Sequence, residues 1–270
     1  MNASWIVAVF LISDDTLEAL DHQSHVLAEV PDSEVMTVAI VAAKYFQNHH
    51  ERALGVMQAL GYLSGSLSVS RFNRRLHALA DWVMFIALTL HELGLHGEAF
   101  IVDSLPIPVC RRVRARRCRK VRGRAFCGYC AAKKEKFFGW RLHLICNAAG
   151  QPVSFSLLPG AYHDLTAIHE LTFNLPDGAS VFGDKAFNSA DDEVSILAAV
   201  GVRLVPIRKV NMKPNSWADD YDLREHRHTI ENVNSQLESM GLQCLHARTN
   251  LGLELKVLAS LIAVACTNFD

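Results

Sequence analysis

The chain is long and apolar enough to fold, and its charge is unevenly distributed. Its 270 residues are 50% hydrophobic, which excludes a mainly disordered protein and favours one large domain, alone or with a smaller N-terminal one. The net charge of −1 hides eleven acids against five bases in residues 1–100, and twelve bases against one acid in residues 111–136. The chain has no signal-peptide pattern and no uncharged span long enough for a membrane. Because its seven cysteines fit a reducing compartment, we expect a cytoplasmic protein.

The first hundred residues are predicted to be mainly helical. Apolar residues follow helical spacing from Val35 to Phe46 and again from Leu76 to Leu90, with a turn predicted at Gly61 to Ser66. A helix capped by Ser68 or Ser70 would present three arginines on one side, as in a helix-turn-helix DNA reader. An ordinary helical hairpin with a solvated basic turn explains the pattern equally well. The three arginines are Arg71, Arg74 and Arg75.

After residue 98 the periodicity changes to that of an α/β protein. A strand is predicted at Phe100 to Val102, followed by a hairpin, a helix, a strand, a helix, a strand and a helix. These later elements are placed at 140–145 with 152–157, 165–173, 180–183, 191–200, 202–206 and 224–240, and an apolar run at 253–267 predicts a buried C-terminal helix. The order predicts a mixed sheet of the ribonuclease-H-like fold. We therefore expect a helical region at 1–97 and a catalytic domain at 98–270 with a basic insertion at 111–136.

Three carboxylates stand at informative positions. Asp103 is predicted to close the first strand, Asp184 closes the run Val181 to Gly183, and Glu231 lies on the helix predicted at 224–240, one turn after Arg227. Such groups are hard ligands for Mg²⁺, and three together suit paired metals that act on phosphodiesters. Taken singly, each has an ordinary explanation as a turn, a helix cap or a solvated helix face. The apolar residues beside Glu231 predict that it faces inward, with Arg227 positioning it.

The basic segment indicates contact with nucleic-acid phosphates, which even a disordered loop of this composition would make. Its basic residues are Arg111, Arg112, Arg114, Arg116, Arg117, Arg119, Lys120, Arg122, Arg124, Lys133, Lys134 and Lys136. Four cysteines lie in or beside this segment, at positions 110, 118, 127 and 130. Only Cys127 and Cys130 have the C-x2-C spacing of a zinc site, so we expect free thiols with structural zinc as the alternative.

Several longer motifs occur in a fixed order between residues 101 and 237, within a resemblance that extends from Val9–Asp15 to the C-terminal apolar run. They are Ile101 to Pro106, Gly128 to Lys134 leading into Phe138 to His143, Leu157 to Pro159 with His163-Asp164-Leu165, Gly183 to Ala186, and Arg227 to Glu231 followed by Ser235 to Leu237. In these motifs the chain resembles the IS982 family of insertion-sequence transposases, which are DDE enzymes. The resemblance departs at Phe187 and Arg224, where tyrosine is usual, and at Leu237 or Glu238, where a basic residue is expected.

The resemblance implies a site, a reaction and partners. It assigns Asp103, Asp184 and Glu231 to the DDE triad, which would hold two Mg²⁺ ions, with Mn²⁺ as a possible substitute, and it makes Arg227, Lys185 and His163 supporting residues. The implied reaction is cleavage of the element ends and strand transfer into target DNA. The implied partners are double-stranded DNA, as terminal inverted repeats and target, and further copies of the chain in a synaptic complex, without a membrane, in a bacterial or archaeal nucleoid. Two alternatives stay open: an inactive DNA-binding remnant, and a nuclease of the ribonuclease H type.

Overall fold

The computed structural model describes residues 1–131 and 133–269 and divides them into two compact units. We call Met1–Leu90 with the chain from Gln236 onward the helical unit, and His91–Ser235 the sheet unit. Ala132, in the predicted basic segment, and Asp270, in the predicted catalytic domain, lie outside the described residues. Among the described residues no single helix is long and apolar enough to cross a membrane, whereas α4 and α5 (bounds below) would qualify together by length and composition but are bent by 63°.

The helical unit contains the predicted N-terminal helices. They are α1 (Ala3–Ala19), α2 (Asp32–Phe46), α3 (His50–Ala59), α4 (Val69–Ala78), the greater part of α5 (Ala80–Leu93) and, from the end of the chain, α9 (Asn250–Ala265). Ser68 begins α4 by accepting the Arg71 backbone N–H at 3.4 Å, as one of the two predicted caps requires. The apolar stripe from Leu76 to Leu90 is divided between two helices, because α4 ends at Ala78 and α5 begins at Ala80.

The C-terminal helix belongs to the helical unit, which differs from the predicted division at residue 97. Every residue of α9 from Leu255 to Ala265 is buried, so the helix requires cover on all sides. Helix α2, buried from Val35 to Ala43, supplies part of that cover. Proximity in sequence to the sheet unit was therefore a poor guide to where this helix packs.

The sheet unit has the predicted mixed sheet. Its elements are β1 (Ala99–Arg111), β2 (Cys127–Cys130), β3 (Glu135–Asn147), β4 (Pro152–Pro159), α6 (Leu165–Thr172), β5 (Ser180–Gly183), α7 (Ala190–Val200), β6 (Arg203–Pro206) and α8 (Trp217–Ser239), whose last turn lies in the helical unit. Strand β3 pairs antiparallel with β1 on one edge and with β2 and β4 on the other, while β5 pairs parallel with β1 and β6. Without the short β2, this is the ribonuclease-H-like strand order that the sequence predicted.

The first strand is much longer than predicted. It does not end at Asp103 but continues to Arg111, paired with β3 from Phe100↔Asn147 to Arg111↔Phe137. Proline is tolerated in a strand where one edge has no ladder partner. Because β5 accompanies β1 only as far as Val102, Pro106 and Pro108 can lie in the strand without disrupting a second ladder.

The basic segment has regular structure in its described residues. Two short 3-10 helices, Arg112–Arg117 and Arg124–Phe126, connect β1 to β2, and Val121 between them is buried. Under the sheet, Phe100, Val102 and Val181 pack with residues of α6 and α7 in one hydrophobic cluster. That cluster anchors the central strands from which the candidate site projects.

Candidate active site

The two predicted aspartates meet where β1 and β5 separate. Val102↔Gly183 is the last parallel pair, and Asp103 and Asp184 are the residues that follow it on the two strands. Since paired strands lie about 4.8 Å apart, the two carboxylates occupy the same end of the parallel ladder. Gly183 permits this approach, because a Cβ there would lie 3.0 Å from Val102 Cγ1 and 3.1 Å from Phe187 Cδ2.

A cavity of about 440 Å³ brings together all three predicted acids and one that was not predicted. The acids that line it are Asp103, Asp164, Asp184 and Glu231. Two arginines, Arg141 and Arg227, also line it, so carboxylates outnumber cationic side chains in the wall. The cavity can therefore accept a cation, and the arginines add positive charge at its wall.

Asp103 is the most strongly perturbed of these acids. Burial and the negative charges of Asp184 and Asp164 raise its pKa to about 6 from an ordinary value of 3.8. Two hydrogen bonds favour the ionised form and limit this rise: the Ser104 N–H donates to Oδ1 at 2.7 Å, and the side-chain amide of Asn234 donates to Oδ2 at 2.7 Å. Asn234, on α8, was not singled out from the sequence, where it is one of several polar residues on a helix with an apolar stripe.

Asp184 is more open to solvent. Its side chain accepts the Ala186 N–H at 2.7 Å and so begins a short 3-10 turn, as expected for a residue that can also serve as a cap. Partial burial and the charge of Asp164 raise the pKa of Asp184, while the charges of Arg227 and Lys209 oppose the rise. Lys185, the next residue and a predicted supporting residue, is exposed and does not line the cavity.

Asp164 takes the place near the site that the prediction gave to His163. His163 is exposed and outside the cavity wall, whereas Asp164 lines it and lies 3.2 Å from Nε2 of the fully buried His143 and 3.8 Å from Arg141. Burial favours a higher pKa for Asp164, but contacts with His143, Ser104 and Arg141 outweigh it and lower the pKa. In the sequence, the feature that could have pointed to this contact is His143, which lies in the run 140–145 of alternating polar and apolar residues.

Glu231 lines the cavity but does not face inward as predicted. Its side chain is 49% exposed, and its Oε1 accepts a hydrogen bond from Arg227 Nε at 2.7 Å. The inward positions of α8 are taken by Ile230, Val233 and Leu237, which are buried, and the α8 side chain that reaches Asp103 is Asn234. Glu231 is thus at the rim, in an ion pair of the exposed kind that contributes only about 0.3–0.5 kcal/mol.

The aspartate pair has the right chemistry for a divalent cation, whereas a complete three-ligand set is not assembled. Asp103 and Asp184 supply hard oxygen donors, and a bound cation would offset the carboxylate repulsion that, together with burial, raises the pKa of Asp103. Within residues 1–131 and 133–269, no group of three or more His, Cys, Asp or Glu side chains is arranged to hold a metal ion. The same finding covers the cysteines at positions 110, 118, 127 and 130, which are free thiols.

Most of the predicted DNA-contacting side chains are at the surface. Along the basic segment all of them are exposed except Lys120, which is half-buried. Arg71 and Arg74 on α4 are exposed as well, but Arg75 is engaged within the helical unit. Its Nε lies 3.1 Å from Asp32 Oδ1, and its Nη1 donates to the Val30 carbonyl at 2.6 Å. Arg75 thus stabilises the start of α2.

The fold and the site define a ribonuclease-H-like protein with an acidic cavity at the end of its parallel strands. Residues 94–250 match the family model described as the transposase DDE domain, and the chain therefore belongs to that family. The predicted assignment to the DDE transposases is confirmed at this level. Among solved structures, the chain is similar to one described as the Mos1 transposase paired-end complex with left transposon end, at 11% identity, 82% coverage of this chain, 81% of that chain and a TM-score of 0.24. No curated protein matches the chain.

Proposed function

We propose that this protein is an insertion-sequence transposase of the IS982 type, which cleaves the ends of its element and transfers them to target DNA. One observation carries the proposal. The region that matches the transposase DDE domain contains the strand pair that sets Asp103 and Asp184 side by side in one cavity. The motifs from Ile101 to Leu237 support the narrower family assignment.

Asp103 and Asp184 would hold the divalent cations, Mg²⁺ or its substitute Mn²⁺. When bound, such ions lower the pKa of a coordinated water and polarise the scissile phosphate. Glu231 is the proposed third ligand. Because its ion pair with Arg227 is exposed, separating the two side chains costs little, which leaves the glutamate free to coordinate and the guanidinium free to contact a DNA phosphate. Asn234 keeps the Asp103 carboxylate oriented.

The proposed partner is double-stranded DNA, as terminal inverted repeats and as target. The exposed arginines and lysines of residues 111–136, with Arg71 and Arg74, would neutralise backbone phosphates and make binding fall steeply with salt. Arg75 is left out of this set because it is committed to Asp32. We further propose that the chain acts as a homo-oligomer that holds two element ends, in a bacterial or archaeal nucleoid.

Cleavage of a duplex that carries the element end, with and without Mg²⁺, tests the proposal. Asp103→Ala, Asp184→Ala and Glu231→Gln should each abolish cleavage while DNA binding persists. Two matched controls are exposed acids outside the cavity, Asp191→Ala on α7 and Glu225→Gln on α8, and they should cleave like the wild type. Cleavage that survived both aspartate substitutions, or that did not require a divalent cation, would contradict the assignment.

A second candidate function has one observation in its favour. The commitment of Glu231 to Arg227 leaves the metal-binding set incomplete, as in a DNA-binding protein without catalysis. In that case the wild-type protein would bind element ends but cleave none of them at any Mg²⁺ or Mn²⁺ concentration. The cleavage assay above therefore separates the two functions.

A further inference from the structure

The helical unit contains a second cavity, of about 850 Å³, into which three helices begin. Residues of the first turns of α3, α4 and α9 line it: His49, His50 and Glu51, then Val69 and Ser70, then Thr249 and Gly252. The first N–H groups of a helix have no partner within the helix, and together they carry a partial positive charge. Side chains cap α4 and α9, but α3 has no side-chain cap. Within the described part of the chain, the N–H groups at the start of α3 therefore have no side-chain acceptor.

Cationic side chains reinforce this positive potential. Arg74 and Arg248 both line the cavity and are exposed, and neither guanidinium has a hydrogen-bond or ion-pair partner in the described part of the chain. The rings of His49 and His246, 5.9 Å apart, also line the cavity. Among the described residues that line the cavity, Glu51 is the one acid. This charge balance favours an anionic ligand over a cation.

His50 supplies an independent indication of a missing ligand. It is only 8% exposed, its Nδ1 lies 3.2 Å from Asn73 Oδ1, and its Nε2 has no partner among the described residues. A buried polar atom without a partner is costly, so it commonly marks a place for a ligand or an ordered water. Burial and the charge of Lys256 lower the pKa of His50 to about 4. An anion in the cavity would offset that charge.

We propose that this cavity binds a backbone phosphate of the element-end DNA, an inference that rests on the proposed function. Phosphate suits the site because the planar fork of arginine and the N–H groups of a helix start both match its oxygens. Arg74 and Arg248 would both bind the phosphate. Arg74 lies on α4, and Arg248 lies far away in the sequence, in the segment before α9. The helical unit would thereby position the DNA independently of the basic segment in the sheet unit.

The test compares the full-length wild type with Arg74→Gln and Arg248→Gln in fluorescence-anisotropy titrations of end DNA over a range of salt. Each substitution should weaken binding about tenfold at moderate salt and reduce the slope of log K against log salt by about 1. Arg52→Gln is the matched control, because Arg52 is exposed on α3 but outside the cavity. A second measurement needs no substitution. The pKa of His50 is measured by NMR of the histidine rings with and without inorganic phosphate, and phosphate should raise it.

The outcomes separate this inference from the proposed function. If the wild type binds end DNA and both arginine variants bind it with the same affinity and salt slope as Arg52→Gln, the cavity does not hold a phosphate. That result would leave the proposed activity of the sheet unit untouched. A pKa of His50 that does not change when inorganic phosphate is added would overturn the inference as well. If the wild type binds no duplex at all, both this inference and the proposed function are wrong.

Discussion

The raised pKa of Asp103 predicts that the proposed metal ligand destabilises the fold that holds it. A carboxyl with a pKa of about 6 in the folded protein and about 3.8 unfolded is harder to ionise when folded. Below pH 3.8 this group does not lower the free energy of unfolding, because it is protonated in both states. As the pH rises through 6, the cost approaches the full shift of about 2 pKa units, or ~3 kcal/mol at 1.36 kcal/mol per unit. Asp103→Asn should therefore stabilise the metal-free sheet unit by up to ~3 kcal/mol at pH 7.5.

Native-state hydrogen exchange of the β1 and β3 amides, in a chelator, measures this effect within the sheet unit itself. The gain from Asp103→Asn should shrink to ~1 kcal/mol at pH 4.5, since most of the native carboxyl is then protonated in the wild type too. Asp191→Asn, an exposed acid on α7, should show no such pH-dependent gain. If Asp103→Asn were neutral or destabilising at pH 7.5, the electrostatic account of this site would be wrong.

Two further predictions concern buried polar contacts of the sheet unit. Asn234→Ala removes the amide that donates to Asp103 at 2.7 Å, so the pKa of Asp103 should rise further in metal-free protein; loss of a hydrogen bond to a charged group is worth about 1.5–3 kcal/mol. A ¹³C carboxyl titration measures it, with Asn232→Ala, exposed on the same helix, as the control, and an unchanged pKa would refute it. His91 is 3% exposed, packs edge-on against Phe155, and has a pKa lowered by burial to about 4 from 6.5. Since the unfolded state binds the proton more readily, stability should be lost as the pH falls from 6.5 to 4, by up to ~3 kcal/mol. In urea titrations at several pH values, His91→Phe should lose less free energy of unfolding between pH 6.5 and 4 than the wild type. If the two lose the same amount, His91 is not the cause.

Local pattern predicted most of the sheet unit correctly. The 180–183 run became β5 with the same bounds, and the paired runs 140–145 and 152–157 lie within the hairpin of β3 and β4. These segments have a clear period of two or a short apolar run between turn residues, so their structure depends on neighbours in sequence. The length of β1 could not be predicted in this way. Proline signals a strand end locally, and only the pairing with β3 and the absence of β5 beyond Val102 explain why the strand continues.

The site shows the same limit at the level of single side chains. Asp103 and Asp184 were identified because each follows an apolar run, and parallel pairing then sets them side by side. Helical periodicity could not predict the orientation of Glu231. On α8 the residues 231 and 234 both flank the apolar stripe, and a difference of three positions decides which of them reaches the strand. His163 and Asp164 pose the same problem in a turn, where adjacent side chains point in different directions.

The sequence by itself determined the element types, their order, the acidic and basic residues available and the membership of the DDE transposases. Those features depend on local periodicity, on composition and on motifs that stay close together along the chain. Only the tertiary structure decided that α9 packs with the N-terminal helices, that Asp164 and Asn234 join Asp103, and that Glu231 lies at the exposed rim of the cavity. It also brought the starts of α3, α4 and α9 to one cavity. Most of these features arise from contacts between residues far apart in the sequence, as does the bond from Lys256 to Asn48 at a separation of 208, which no local pattern encodes.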